Sequence, residues 1–455
     1  MRSLSRRKVD FCTGSIPSAF VRFTVPVILS SLLHMLFNTA DMVVVGKFVS
    51  DAAQAAVSST GNIVNTMICL LTGLGAGVSV LTAQCVGSGD EEKTGRVVHT
   101  AIATGLLFGT VLAAVCIVTV PWVLEWMEYP PEISREAVIY LRIYFVGLPI
   151  QMFYQFGANV LQAQGDSSRP MYYLTIGGVV NLVGNLVMVL AFGMGVEGVA
   201  IATVLSYVVS AWMVGRCLTA ETESVRLELR RLRIHWPTLG RIASIGIPAG
   251  LQGMMFSLSG VILQSSLNAL GTVTVAGVGA GSNLIQYVNM VGNSANAGCI
   301  TFAAQNLGAD QPQRIREGYR RILLMTMGCA VVVSAVLFCL SPWLLQIYTN
   351  DPAVVQQGLT HIRTMVPFHF LHAFMQVTQG FQRGLGASVT PMLVAVIGTC
   401  GLRALWAGCV FPLWPILPVL VAVYPVTWLV TGLVQWGHLR YYLPRAAARA
   451  KQETA

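Results

Sequence analysis

The sequence predicts an all-α polytopic membrane protein, with twelve transmembrane helices in two six-helix lobes related by a pseudo-two-fold axis along the membrane normal. Three observations predict it. Of 455 residues, 55% are hydrophobic and only 10% charged, with a mean hydropathy of +0.67, where a soluble globular domain carries about 25% charged residues. Apolar runs long enough to cross a hydrocarbon core of about 30 Å recur twelve times. The chain also repeats itself at a fixed offset, half-way along its length.

The runs lie at 18–45, 57–83, 97–122, 137–163, 171–193, 196–218, 241–269, 275–303, 321–345, 361–385, 391–413 and 415–438. The stretch Thr82-Ala-Gln-Cys-Val-Gly-Ser-Gly-Asp90 closes the second run and reappears as Ala303-Ala-Gln-Asn-Leu-Gly-Ala-Asp310 at the end of the eighth, with Gln84 over Gln305 and Gly87 over Gly308. The offset is 221, and the same offset sets Gly165-Asp-Ser-Ser-Arg-Pro-Met171 over Gly386-Ala-Ser-Val-Thr-Pro-Met392, while 222 sets Val25-Pro26 over Ile247-Pro248. Six helices per repeat is an even number, so both halves share one topology and the axis relating them runs along the membrane normal. The expected organisation is an N-terminal lobe over 1–218, a cytoplasmic linker over 219–237 and a C-terminal lobe over 238–455. The Arg- and Glu-rich linker has a pattern compatible with an amphipathic surface helix.

Placing the N-terminus inside puts 23 of 28 basic residues on the cytoplasmic side, leaving Lys47, Arg135, Arg142, Arg363 and Arg403. Glu125, Glu128, Glu132 and Glu136 crowd the outer connection after the third helix. Both termini are therefore expected in the cytoplasm of a multi-pass plasma-membrane protein. The +9 net charge is explained by this asymmetry and calls for no nucleic-acid partner. Ten scattered cysteines without a C-x-x-C pair read as packing residues. Arg2, Arg6, Arg7 and Lys8 precede an apolar run too long and too polar at His34, Asn38 and Asp41 for a cleaved signal peptide.

Asp41 is the one carboxylate of nineteen predicted at membrane depth; the others fall at segment ends, in connections or in tails. An ionised acid there costs about 2.5 kcal/mol or more, and such residues face cavities and carry protons or ions. The structural alternative is a neutral acid tying the first helix to a neighbour. At about 100° per residue, His34, Asn38 and Asp41 share one face. His34 suits a proton relay or a packed, hydrogen-bonded role. In the repeat, Asp41 falls over Leu263, so the second lobe has no matching acid.

On these residues the chain resembles the multidrug and toxic compound extrusion (MATE) family over essentially its whole length. The resemblance is carried by Asp41-Met-Val-Val-Val-Gly-Lys47, the paired Gln-x-x-Gly closures, Gly165-Asp-Ser-Ser-Arg-Pro170 and Gly193-Met-Gly-Val-Glu-Gly-Val-Ala-Ile-Ala-Thr203. It implies an antiporter that exports organic cations against an inward proton or sodium gradient by rocking its lobes. Asp41 matches the family's first-helix aspartate, Asn181 and Thr203 match polar residues lining the same first-lobe site, and Asn159 resembles another. The sequence departs at Asn185, where many members have aspartate. It departs again in the second lobe, where sodium-coupled members carry acids on the seventh and tenth helices and this chain has His372 at the tenth-helix position.

Asn181 and Asn185 lie a turn apart beside Gly177, Gly178 and Gly184, glycines that let their helix approach a neighbour closely. The amides serve either the Asp41 site or interhelical hydrogen bonding alone. Polar stripes recur on the eighth helix at Gln286, Asn289, Asn293 and Asn296, and on the tenth at His369, His372, Gln376 and Gln379. Amides avoid lipid, so each stripe faces a cavity or its neighbour. The expected substrate cavity comprises Gln286, Asn289, Asn293, His372 and Gln376. Arg403 has no acid at its depth and either snorkels outward or binds backbone carbonyls.

The expected function is secondary active export of amphipathic organic cations in exchange for protons, with sodium as the other coupling ion considered. The expected chain is a monomer without cofactor or resident metal. A flippase for lipid-linked precursors is the alternative within the superfamily, and would call for a basic cavity lining and usually more helices. An enzyme would need a catalytic set such as H-E-x-x-H, which the sequence lacks. Two equivalent lobes suit alternating access better than a channel.

Overall fold

The computed structural model describes residues 8–49, 51–127, 129, 131–221 and 225–454. Arg2, Arg6, Arg7, Glu128 and linker residues 222–224 lie outside them. The described residues are helical with no strand. The first half contains α1 (Ile16–Phe48), α2 (Asp51–Ser88), α3 (Glu91–Trp126), α4 (Pro131–Val146), α5 (Leu148–Ala163), α6 (Ser168–Leu186) and α7 (Val196–Ala220). The second contains α8 (Trp236–Asn268), α9 (Thr272–Gly308), α10 (Pro312–Gln346), α11 (Pro352–Met365), α12 (His369–Gly384), α13 (Val389–Ala395), α14 (Leu402–Leu405) and α15 (Leu417–Thr454).

Nine helical spans are long and apolar enough to cross a bilayer among the described residues, and α4 with α5 makes a tenth, bent by 47°. The bend falls at Gly147-Leu-Pro149, where Pro149 supplies no backbone N–H. The two remaining predicted spans are α9 and the α11–α12 pair, whose polar stripes lower their hydropathy; the pair is broken by a 3₁₀ turn at Val366–Phe368, around Pro367. The eleventh predicted span is interrupted by π-helical turns at Val396–Gly401 and Trp406–Val410 and ends in a 3₁₀ turn at Phe411–Leu413. Twelve spans therefore correspond to the twelve apolar runs.

The repeat is visible in the backbone itself. Gly165 and Gly386 (386 − 165 = 221) both have φ +86°, and Gly89 and Asp310 (310 − 89 = 221) have φ +70° and +51°. Prolines recur inside helices at the same spacing, Pro121 in α3 and Pro342 in α10. By packing, the described residues within 1–9 and 25–246 form one unit and those within 10–24 and 247–455 a second. The chain thus changes unit inside α1 just before Pro26 and inside α8 just before Pro248.

In the first unit the core gathers Leu141, Phe145, Leu148, Met152 and Phe156 between α4, α5 and α3. The expected surface helix in the linker is not formed: beyond one 3₁₀ turn at Leu229–Arg231, residues 225–235 run without helix. Val225 and Leu227 alternate with Arg226 and Glu228, a period of two instead of 3.6, and both apolar side chains are buried. Their backbone is anchored as well, with Leu227 N–H donating to Leu218 O at 3.0 Å and Glu228 N–H to His99 Nε2 at 3.0 Å. In the second unit, Phe11 is fully buried against Phe23 and Phe302, and Arg314 donates from Nε to Phe11 O at 2.9 Å and from Nη2 to Thr13 O at 2.8 Å.

Candidate functional site: an acid enclosed by amides in the first unit

Close helix packing builds the site. A Cβ on Gly178 of α6 would stand 1.8 Å from the Phe37 ring of α1, and one on Gly177 would stand 2.1 Å from Ser210 Oγ of α7. Only glycine lets α6 come that near both neighbours. The approach carries Asn181 and Asn185, one turn apart on α6, against Asp41 of α1 and Thr203 of α7.

Asn185 Nδ2 donates to Asp41 Oδ1 at 2.5 Å. One atom of the Asn181 amide stands 2.7 Å from Asp41 Oδ1 and 3.3 Å from Oδ2, while the other stands 3.2 Å from Thr203 Oγ1. These positions admit two complete patterns. With Asp41 ionised, the Asn181 nitrogen donates to the carboxylate and its oxygen accepts from the Thr203 hydroxyl. With Asp41 protonated, the carboxyl O–H donates to the Asn181 oxygen, Asn181 Nδ2 donates to Thr203 Oγ1, and that hydroxyl donates to Val199 O at 3.0 Å. Asn181 and Asn185 are buried, and Asn185 Oδ1 is enclosed without a hydrogen-bond partner among the described residues. Val44, Val45, Val189, Val196 and Val199 form an apolar cluster beside the carboxyl. Among the described residues no Lys, Arg or His pairs with Asp41.

Of the expected first-lobe set, Asp41, Asn181, Asn185 and Thr203 come together. Asn159 does not join them: its Nδ2 donates to Gln155 O at 2.8 Å and lies against Gly75 of α2. His34 is exposed. Sequence reasoning missed the neighbouring tyrosines. Tyr140 packs against the valine cluster and stacks on Tyr144, while Gln151 Nε2 donates to Tyr207 OH at 3.1 Å. The i, i+4 spacing of Tyr140 and Tyr144 in a span ending at a proline bend was the available signal.

In the second unit, Gln286 and Asn289 of α9 line a cavity of about 230 Å³ together with Gln264, His361 and Tyr424. Asn293 accepts a hydrogen bond from Gln376 Nε2, so these two stripes meet each other at that level. His372 is buried against Trp428 and His369. Both readings of Arg403 are corrected: it does not snorkel, and among the described residues it binds no backbone carbonyl. It is buried, donates from Nη1 to Ser259 Oγ at 2.9 Å and lies over the Tyr424 ring at 4.4 Å. A hydroxyl and a π-face held the guanidinium more cheaply than exposure to lipid.

A six-span unit built twice, with a carboxyl enclosed inside a membrane-spanning helix of one copy, is an architecture found among membrane transporters. The MatE family model matches residues 26–187 and again 248–407, so the chain belongs to the MatE family. The two matched segments reproduce the internal repeat. A Bacillus subtilis protein named "Probable multidrug resistance protein YoeA" is 26% identical over 92% of both chains. An "FAD transporter" of Shewanella oneidensis is 24% identical over 86% of both chains. Among solved structures, an outward-facing multidrug resistance MATE family transporter of the MOP superfamily superposes with a TM-score of 0.89 at 21% identity, covering 97% of this chain and 98% of the other. A MOP superfamily transporter from Pyrococcus furiosus, described as having a binding pocket of reverse polarity, gives 0.89 at 21% identity over 96% and 99%. These likenesses establish the fold.

Proposed function

We propose that the protein is a secondary active antiporter that exports amphipathic organic cations from the cell in exchange for protons, by alternating access, with Asp41 as the coupling residue. The curated relatives named for multidrug resistance or export support the drug-efflux reading. The observation that carries proton coupling is the Asp41–Asn181–Thr203 chain, whose heavy atoms satisfy the carboxyl both ionised and protonated. Proton gain and loss then require an amide rotation and a hydroxyl rotation, and no coordination shell. A sodium ion is a hard cation needing several converging oxygens; this site offers one carboxylate, two amide oxygens and a hydroxyl, with asparagine where many family members carry a second acid. Asp41 with its proton is neutral; once the proton is lost, the carboxylate attracts a cationic substrate through a low-dielectric interior. The exchange follows from that competition. Both termini face the cytoplasm in this reading, on the strength of the basic-residue asymmetry.

In sodium-free proteoliposomes, an imposed pH gradient drives movement of an ethidium-like cation, a protonophore abolishes it, and Asp41→Asn eliminates the driven component while the protein stays inserted. Driven transport by Asp41→Asn at the wild-type rate would overturn the assignment. Transport driven by a sodium gradient alone, without response to pH, would replace the coupling ion and keep the residue.

A further inference from the structure

A cavity of about 690 Å³ opens on the second unit, between the beginning of α10 and residues 436–443 of α15. It is lined by Arg316, Arg320, Leu323 and Leu324 from α10 and by Trp436 and Arg440 from α15. These are antiparallel surfaces with one ordering. On α10 the arginines occupy the turns next to the helix start at Pro312, and the leucines follow, so Arg316 and Leu324 are separated by about 12 Å along the axis. On α15, which runs toward its end at Thr454, Trp436 precedes Arg440. On both helices the arginines thus lie one to two turns outward of Leu323, Leu324 and Trp436, with Ile315 and Leu443 adding apolar wall on their outer side; guanidinium above leucine and tryptophan is the order of a bilayer leaflet from headgroup to acyl chain.

None of the three guanidinium groups forms an ion pair among the described residues. Glu317, beside Arg316, is turned instead to Arg321, at 2.5 Å. Arg440 is held over the Trp436 ring at 3.9 Å, which fixes its position while leaving its N–H groups for an acceptor in the cavity. Three unpaired arginines above a floor of leucine and tryptophan match one kind of occupant in size and sign.

We infer that this groove is a binding site for an anionic phospholipid, its phosphate held by Arg316, Arg320 and Arg440 and an acyl chain laid along Leu323, Leu324 and Trp436. By the distribution of basic residues, the leaflet is the cytoplasmic one, where anionic lipids and juxtamembrane basic residues attract each other. The groove is not a second export site: the cationic substrates proposed above are repelled by the same three charges. The inference does not depend on Asp41 or on the coupling ion.

The test is lipid retention by the purified full-length protein in non-ionic detergent, read by native mass spectrometry during titration with dioleoyl phosphatidylglycerol or dioleoyl phosphatidylcholine. The wild type prefers phosphatidylglycerol by up to about a hundredfold, the combined effect of three arginines. The triple variant Arg316→Gln, Arg320→Gln, Arg440→Gln loses the preference, and the triple lysine variant retains most of it. Arg440→Gln alone gives an intermediate result and guards against a folding defect, since all three side chains are exposed. Asp41→Asn binds lipid as the wild type does, so failure of the transport reading leaves this result unaffected. An unchanged preference in the triple glutamine variant, equal retention of both lipids by the wild type, or displacement of phosphatidylglycerol by inorganic phosphate would each overturn the site.

Discussion

Asn185 is the most informative residue of the site after Asp41, because it is fully buried and a hydrogen bond to a charged group is worth about 1.5–3 kcal/mol. Its amide nitrogen makes such a bond by donating to Asp41. Replacing Asn185 by Leu keeps the volume, removes that donor and lowers the initial rate of pH-driven efflux by about tenfold or more, the worth of a hydrogen bond to a charged group. Thr203→Val tests the other arm. It deletes the hydroxyl that completes both hydrogen-bond patterns, and the expected result is slower exchange with little change in thermal stability; wild-type exchange by Thr203→Val would show that Asp41 titrates without that arm. Asp41 was legible in the sequence because a lone acid inside a long apolar run is conspicuous. Asn185 and Asn181 were legible as a pair from their spacing beside three glycines. Tyr140 and Tyr207 were not, since a tyrosine in a membrane helix gives no sign of which neighbour its hydroxyl meets.

At the scale of elements, the contact between α1 and α6 sets the site. Gly178→Ala drives a methyl group into Phe37 and is expected to cost about 1–3 kcal/mol by overpacking. Adding Phe37→Ala to that variant makes room again, and the thermal midpoint of the double variant should exceed that of Gly178→Ala. The ends of α6 and α7 are tied by charge: Arg169 binds Asp166 and Glu221, and Lys8 Nζ reaches Glu221 at 3.3 Å. Burial opposes ionisation of Glu221, but the Arg169 and Lys8 charges outweigh it, so this carboxyl titrates below its ordinary value. A depressed folded-state value adds stability that is complete above the unfolded value of about 4.3 and is lost as pH falls through the folded one. Glu221→Gln is therefore expected to lower the thermal midpoint by a constant amount from pH 8 to about 5, the gap closing only in more acid solution. A gap that persisted at low pH would remove the electrostatic explanation. Element boundaries were the least legible feature. Periodicity reports which face is apolar, but whether Pro149 or Pro367 bends a helix or breaks it depends on the neighbours that satisfy the freed backbone groups. The linker was misread because alternation over Val225 to Leu229 is too short to separate a period of two from one of 3.6.

At the scale of the whole molecule, the repeat was legible because turns are less forgiving than helices. Gly165 and Gly386 adopt the same left-handed conformation, 221 residues apart, which other residues reach only with strain. Alanine at either position is expected to destabilise by about 1–2 kcal/mol, and Gly165→Ala by more, since its methyl would also stand 2.0 Å from Val9 O; equal thermal midpoints for Gly165→Ala and the wild type would contradict that strain. The sequence could not reveal that the chain changes unit within α1 and α8, because no periodicity records which unit a helix start packs against. The central claim, that Asp41 exchanges a proton for a cationic substrate, is tested most directly by proton release on binding. Purified protein in weakly buffered solution near neutral pH is titrated with an ethidium-like cation while the pH of the solution is followed. The account predicts that the wild type releases protons as it saturates, that sodium leaves the release unchanged, and that Asp41→Asn, still folded, releases none. Saturable binding by the wild type with no proton released at any pH between about 5 and 9, the range over which carboxyl and imidazole groups in proteins titrate, would contradict it.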